Sequence, residues 1–339
     1  MDDAGQIQTP RAVAAKSLRT PTTVSPQLQR SISTMAAQAA AGGGGLPLGW
    51  RPGSADEWTA LIAQVDAQAL ALVPALAAMF PHRVELMQVA GVTVRQIVPA
   101  SLDPAKAGRV LLNFHGGGYV LNGGEASTGE AVLGAHYSRM TVVSVDYRMP
   151  PEHPFPAAVD DAVAVWRALA AERPAGAIGV FGTSAGGGLT LALALKLKEL
   201  GLELPGALAT GTPWTDLTGA SDSYQVNAGV DGVFSSFDGM AGGMAALYAG
   251  DAGVTHPLVS PIYGDFAGFP PTIFTTGTRD LLLSDTVRAY RAMRAAGVTA
   301  RLEVHEAMSH AEYIYAFDSP ESAVVFRDIA AFFDEHLKG

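Results

Sequence analysis

The sequence predicts an α/β fold in which a mostly parallel central sheet carries helices on both faces. Three observations lead to this. From about residue 105 onward, short β-branched runs alternate with helical stretches, and that order is most economically folded as a parallel sheet covered on both sides. Gly182-Thr183-Ser184-Ala185-Gly186 stands between an apolar run and a helical stretch, where a Gly-x-Ser-x-Gly turn holds its serine on a sharp strand-to-helix bend. His115-Gly116-Gly117-Gly118 follows an earlier apolar run as a loop almost free of side chains.

Taken in chain order, residues 1–45 are rich in Ala, Gln, Ser, Thr and Gly and end in four consecutive glycines, so this stretch is expected to be flexible at first and loosely packed. Over residues 55–79, Trp58, Leu61, Ile62, Val65, Ala69 and Leu72 recur at helical spacing, and Pro74 should bend or end the first segment. Strands are predicted at 84–89, 92–98, 110–114, 141–145, 177–181, 207–210, 272–276 and 300–305. Helices are predicted at 126–139, 157–171, 187–200, 284–296 and 322–337. The segment 214–250 breaks the alternation. It is long for a connection and carries Tyr224, Val233, Phe234, Phe237, Met240, Met244 and Tyr248 among glycines, the composition of a lid over a site.

Composition removes several function classes. The chain has 22 basic and 32 acidic residues, a formal net charge of −10 and no Lys/Arg cluster, so nucleic acid and anionic membrane are not expected partners. It has no cysteine, which excludes thiol and disulfide chemistry. The eight histidines are scattered without paired ligands at helical spacing, so neither a metal nor another cofactor is expected. Glycine and charged residues are read as interrupting every apolar run before the ~18 residues that a spanning helix needs. The N-terminus lacks a basic segment followed by an apolar one, so a cytoplasmic location is the expectation.

The two glycine motifs form the halves of one acyl-transfer site. Ser184 is the candidate nucleophile, and Gly116, Gly117 and Ala185 are the candidate oxyanion donors, because their N–H groups are unobstructed. A serine hydroxyl needs a base, and a histidine base needs an anion to hold its tautomer. His305, His310 and His336 lie downstream. His310, in the loop after the last strand, is preferred over His305 within that strand and His336 in the C-terminal helix. Asp280 and Asp285 both suit the acid. Asp280 just past a strand end is the better placed, while Asp285 is also explained as a carboxylate at a helix N-terminus. Tyr119, Trp214, Phe234, Met240 and Met244 are the candidate substrate-pocket residues.

His115-Gly116-Gly117-Gly118-Tyr119, Asp146-Tyr147-Arg148, Pro151-Glu152-His153-Pro154-Phe155-Pro156-Ala157-Ala158, Gly182 to Gly187 and His256-Pro257-Leu258-Val259-Ser260-Pro261 together resemble the bacterial hormone-sensitive-lipase family of carboxylesterases. The resemblance runs from about residue 110 to the C-terminus, and Thr183 fits the Gly-Thr-Ser-Ala-Gly-Gly subgroup. It implies an α/β-hydrolase core over 81–339, a helical cap made by residues 1–80 with 214–250, and Ser184, Asp280 and His310 as the triad. Two places depart from the family pattern: Ala311-Glu312 stands where Gly-Phe is frequent, and Asp280-Leu281-Leu282 where Asp-Pro-Leu is common.

The function expected is hydrolysis of short- to medium-chain carboxylic esters through a serine acyl-enzyme. A lactone or activated amide could use the same machinery. A non-catalytic binding protein on this fold is disfavoured by the presence of His310. The expected partner is a small-molecule ester, and the resemblance makes a homodimer through the last strand plausible.

Overall fold

The computed structural model describes residues 17–40 and 50–339. Its centre is an eight-stranded sheet made of β1 (His82–Val89), β2 (Val92–Pro99), β3 (Val110–Phe114), β4 (Val142–Val145), β5 (Ile178–Thr183), β6 (Ala207–Gly211), β7 (Thr272–Gly277) and β8 (Ala300–His305). The order across the sheet is β1-β2-β4-β3-β5-β6-β7-β8. From β4 to β8 every neighbouring pair is parallel, whereas β1 and β2 form an antiparallel hairpin, and β2 joins β4 in antiparallel register.

Side-chain alternation along the central strands splits the interior into two cores, one on each face of the sheet. On β3, Val110, Leu112 and Phe114 join one core, while Leu111 between them belongs to the other. The first face is covered by α5 (Ala157–Glu172), α6 (Ala185–Glu199) and α9 (Leu283–Ala295), which bury Trp166, Leu193 and Met293. The second is covered by α4 (Thr128–Ser138) and α11 (Pro320–His336), which bury Leu133, Phe326 and Phe333. Over the strand ends lie the N-terminal helices α1 (Pro26–Ala40), α2 (Ala55–Leu70) and α3 (Val73–Met79), and the insertion after β6 with α7 (Ser223–Val226) and α8 (Gly242–Ala249). The short α10 (Glu312–Tyr315) follows β8.

Two stretches differ from what the sequence suggests. Helix α1 occupies a region read as flexible, while the rest of that region, 1–16 and 41–49, lies outside the described residues. Its contacts with the body of the protein hold it in place. Leu28 and Ile32 enter the second core, and the Ser25 backbone N–H and hydroxyl both donate to the Glu321 carboxylate at 2.6 Å. The helical stretch Ala55–Met79 is, by length and composition, apolar enough to cross a membrane, with a mean hydropathy of 1.6 in its most apolar 18-residue window. Asp56, Glu57 and Asp66 are the only charges in those 25 residues, and Asp66 still divides the stretch before 18 uninterrupted apolar residues accumulate. The stretch is two helices, separated at Ala71 and Leu72, with Pro74 in the first turn of the second. It is held to the body by Trp58 and Leu61 in the first core, and by Asp66, which accepts the Asn122 N–H at 2.7 Å.

If α1 is packed as a core element, Leu28→Ala should destabilise the protein by roughly 2–5 kcal/mol. Chemical denaturation measures this, and a midpoint unchanged from the parent would show that α1 contributes nothing to the fold.

Candidate active site

The carboxyl ends of the parallel strands lie along one edge of the sheet, where α/β proteins bind their ligands. The glycine loop leaves β3, the serine turn leaves β5, Asp280 follows β7 and His310 follows β8. Ser184 has φ 62° and ψ −123°, a conformation that a non-glycine residue holds only when its surroundings enforce it. Those surroundings are visible. The Ser184 N–H donates to the Gly211 carbonyl at 2.8 Å, and its own carbonyl accepts from Gly188 at 3.0 Å and Trp214 at 2.9 Å. Gly186, in the first turn of α6, packs so closely on the end of β3 that a Cβ there would overlap the Phe114 carbonyl.

The three side chains expected to act together do meet. Ser184 Oγ lies 2.9 Å from His310 Nε2, and His310 Nδ1 lies 3.0 Å from Asp280 Oδ1. All three residues are buried. Asp280 is held from two further directions, by the Thr276 hydroxyl at 2.6 Å and the Leu282 N–H at 2.9 Å. Burial draws the His310 pKa down. The hydrogen bond and charge of Asp280, with the charges of Asp231 and Asp285, outweigh burial and set the pKa above its ordinary value of 6.5.

The alternatives fall elsewhere. Asp285 accepts from the Thr215 and Asp216 N–H groups at 3.2 and 3.0 Å, from the Tyr224 hydroxyl at 3.2 Å and from the Ser221 hydroxyl. It therefore fastens the root of the insertion, and its own burial pushes its pKa up to about 7. His305 stays within β8, where burial lowers its pKa. His336 sits on α11 with its ring edge against Phe332 at 4.4 Å.

The glycine loop runs beside the serine, since a Cβ on Gly116 would come within 3.4 Å of Ser184 Cβ. Gly117 has φ 112°, which leaves the loop no room for an L side chain. The N–H groups of Gly116, Gly117 and Ala185 donate to no backbone carbonyl among the described residues, so the site has donors to offer a developing oxyanion.

Among the candidate pocket residues, Phe234 lies 5.1 Å from the His310 ring and Trp214 stands edge-on to Phe234 at 6.1 Å. Met244 packs on the glycine loop at Gly118. Tyr119 lies one layer further in, stacked on Tyr248 with ring centres 3.7 Å apart. Met240 is half-buried against the first core and makes no hydrogen bond or ring contact with the three central residues. The backbone kinks at Asp238 and Gly239, just before it.

Sequence patterns did not reveal three carboxylates that surround the site. Glu130 on α4 accepts from the hydroxyl of Thr183, the residue before the nucleophile, and burial pushes its pKa up to about 7. Glu312, two residues past His310, accepts from the Ser309 N–H at 2.9 Å and from the Ser31 hydroxyl of α1 at 2.8 Å. Asp231, in the insertion, accepts from the N–H groups of Leu281 and His310 at 2.7 and 3.0 Å. None belongs to a spaced motif, and only Glu312 carried a signal, as a departure beside the histidine. Among the described residues, no group of three or more His, Cys, Asp and Glu side chains is arranged to hold a metal ion.

Comparison with known proteins fits this geometry. Residues 111–314 match the model of a family described as having the alpha/beta hydrolase fold. The chain is 32% identical to an acetyl-hydrolase of Streptomyces hygroscopicus, over 73% of this chain and 81% of that protein. It is also 32% identical to an esterase of Acinetobacter venetianus, over 67% and 75%. Among solved structures, an esterase designated E25 superposes with a TM-score of 0.91 at 37% identity, covering 97% of this chain and 99% of that one. An esterase from the bacterial hormone-sensitive lipase family gives 0.79 at 30% identity, covering 93% and 99%.

The electrostatics of His310 can be measured directly. Its imidazole should titrate in an NMR experiment with a midpoint above 6.5, and Asp280→Asn should lower that midpoint by removing the largest charge that favours the imidazolium. A midpoint at or below 6.5 in the unmodified protein would mean that burial dominates.

Proposed function

Because the chain belongs to the bacterial hormone-sensitive-lipase family of α/β-hydrolase-fold esterases, it is a carboxylic ester hydrolase, and we propose that Ser184, His310 and Asp280 carry its chemistry. The observation that carries this assignment is the unbroken relay of 2.9 and 3.0 Å from Ser184 through His310 to Asp280. Ser184 Oγ attacks the ester carbonyl carbon while His310 Nε2 takes its proton. The resulting oxyanion is received by the N–H groups of Gly116, Gly117 and Ala185. The tetrahedral intermediate collapses, the C–O bond to the alcohol breaks, and the alcohol leaves with the proton from Nε2. Water, deprotonated by the same nitrogen, then releases the acid and restores Ser184. Asp280 holds the Nδ1–H tautomer throughout and stabilises the imidazolium.

On the same footing we assign the chain to the Gly-Thr-Ser-Ala-Gly-Gly subgroup, a reading supported by the contact of Thr183 with Glu130. The described residues up to 80 and the insertion 214–250 are assigned to the cap, supported by the positions of Phe234 against the His310 ring and Met244 on the glycine loop. The proposed substrates are esters with short to medium acyl chains. The buried wall of Trp214, Phe234 and Met244 supports this reading, as does the name of the Streptomyces relative, an acetyl-hydrolase. Each methylene buried in such a pocket contributes about 0.8 kcal/mol until the pocket is full, and further carbons must stay wet or displace the wall.

Three outcomes test the assignment. Ser184→Ala and His310→Ala should each lower kcat by roughly 10⁴-fold or more with circular dichroism unchanged, and Asp280→Asn by about 10⁴-fold; near-normal turnover of His310→Ala would sink the triad. Asp285→Asn should instead lower Tm far more than kcat, and the reverse would transfer the acid role to it. With p-nitrophenyl esters of increasing acyl length, kcat/KM should rise and then fall, and Phe234→Ala should move the maximum to longer chains. Efficient hydrolysis of emulsified long-chain triglycerides would overturn the closed pocket.

The pH dependence has a definite sign. The base must be neutral to accept the serine proton, and the His310 pKa lies above 6.5, so kcat/KM should be full on the alkaline side and fall as the pH drops through that raised value. A profile flat from pH 5 to 9 excludes a histidine base.

A further inference from the structure

The acid and the base of the relay sit on separate loops, after β7 and β8, which bond to each other directly through the Thr278 N–H to the His305 carbonyl at 3.0 Å, the Arg279 N–H to the Met308 carbonyl at 3.1 Å and the Ala307 N–H to the Thr278 hydroxyl at 2.8 Å, all short of Asp280 and His310 themselves. A third element joins them. Asp231, in the insertion after β6, turns one carboxylate oxygen, Oδ2, to both loops: it accepts the Leu281 N–H, one residue past Asp280, at 2.7 Å and the His310 N–H at 3.0 Å. Its other oxygen accepts the Val233 and Phe234 N–H groups at 2.8 and 2.9 Å, which closes a tight turn of the insertion upon itself. The same turn grips both loops at further points. Asn227 donates its side-chain amide to the Asp280 carbonyl at 2.8 Å, and the Ser309 hydroxyl accepts the Gly232 N–H at 3.1 Å.

We propose that Asp231 is a positioning residue for ester hydrolysis, a carboxylate from the insertion that ties the acid loop to the base loop and sets the Asp280 to His310 geometry. Its chemistry suits the role. A buried carboxylate with four N–H donors is satisfied as an anion, and an anion can hold two N–H groups converging on one oxygen. No arginine or lysine pairs with it among the described residues. The groups that face it are His310 from the base loop and Asp280 from the acid loop; Asp285, further off, acts on His310. Burial raises the Asp231 pKa, His310 draws it down and Asp280 raises it, to about 6 in all. In the transition state, when His310 carries a proton, Asp231 presents a second negative charge to the imidazolium beside Asp280. The imidazole's pKa is accordingly raised by Asp231 as well as by Asp280.

The inference rests on the triad assignment. If Ser184→Ala and His310→Ala keep turnover, that assignment has failed whatever Asp231 does, whereas if they abolish it, Asp231→Asn tests the positioning role by itself. Asp231→Asn keeps the shape, removes the charge and leaves one acceptor oxygen for four donors. With p-nitrophenyl butyrate it should lower kcat about 10- to 100-fold with KM within about two-fold, the scale expected of a small misplacement of reacting groups. The acid limb of kcat/KM should also move to lower pH, because a negative charge facing His310 is gone. A kcat within about two-fold of the parent, or a fall in kcat with the acid limb unmoved, overturns the proposal, since a purely structural residue would change Tm and leave that limb in place. Should the variant fail to fold, hydrogen exchange in the unmodified protein decides. After correction for intrinsic rates, the amides of Leu281 and His310 should be less protected at pH 5 than at pH 8, and equal protection at both overturns the role of the ionised carboxylate.

Discussion

Gly186 rests directly on the Phe114 carbonyl, and this approach of α6 to the end of β3 governs the rest of the site. With a side chain at that position the helix would stand off from the sheet, and Ser184 would no longer be held at positive φ at the lip of β5. Because the strand ends are pulled together there, the glycine loop after β3 runs within van der Waals distance of the serine. The N-terminus of α6 then opens beneath the same space, and the Ala185 N–H joins the loop's donors. A polar cavity for an oxyanion is therefore a consequence of helix-to-strand packing, and few side chains are spent on building it.

Around that backbone frame the electrostatics are a contest between burial and hydrogen bonding. Four carboxylates, of Asp280, Asp231, Asp285 and Glu130, are buried. Burial raises the pKa values of the last three, and each offsets its desolvation with donors from neighbouring loops. Asp285 fastens the root of the insertion and Glu130 braces the residue before the nucleophile. The charge that reaches His310 is thus negative from several sides: Asp280 contributes most, and Asp231 and Asp285 add to it in holding the imidazole at a pKa above its ordinary value.

The N-terminal helix and the insertion are part of this frame. Glu312 accepts from Ser31 on α1 and from Ser309 beside the histidine, so the position where the family often has Gly-Phe here carries a tie to the N-terminus. The insertion contributes the Phe234 ring over His310 and the Asp231 carboxylate beneath it. The elements proposed as the cap are thus the same ones that bond to the loops of Asp280 and His310.

The strand runs, their alternation with helices, the glycine loop and the serine pentad were all legible in the sequence. Each depends on local sterics or on periodicity, which neighbouring residues reveal by themselves. The loop position of His310 and the strand-end position of Asp280 were also readable, because a parallel sheet sends every such loop to one edge. Between Asp280 and Asp285, local pattern gave only a preference. Only four residues separate them, and their different fates come from partners near residues 216, 221 and 310 in the chain, brought close only by the packed sheet. Helix α1 escaped notice because it is held by the burial of Leu28 in the second core and by bonds of Ser25 and Ser31 to Glu321 and Glu312, almost 300 positions away. Asp231 escaped for the same reason. An aspartate in a glycine-containing turn is unremarkable as a string of letters, and its meaning is created by two N–H groups that converge on one oxygen only after β6, β7 and β8 are laid side by side. Local chemistry was written in the sequence, while the choice of which buried charges meet belonged to the tertiary structure, because burial and convergence are properties of the folded chain and of no segment alone.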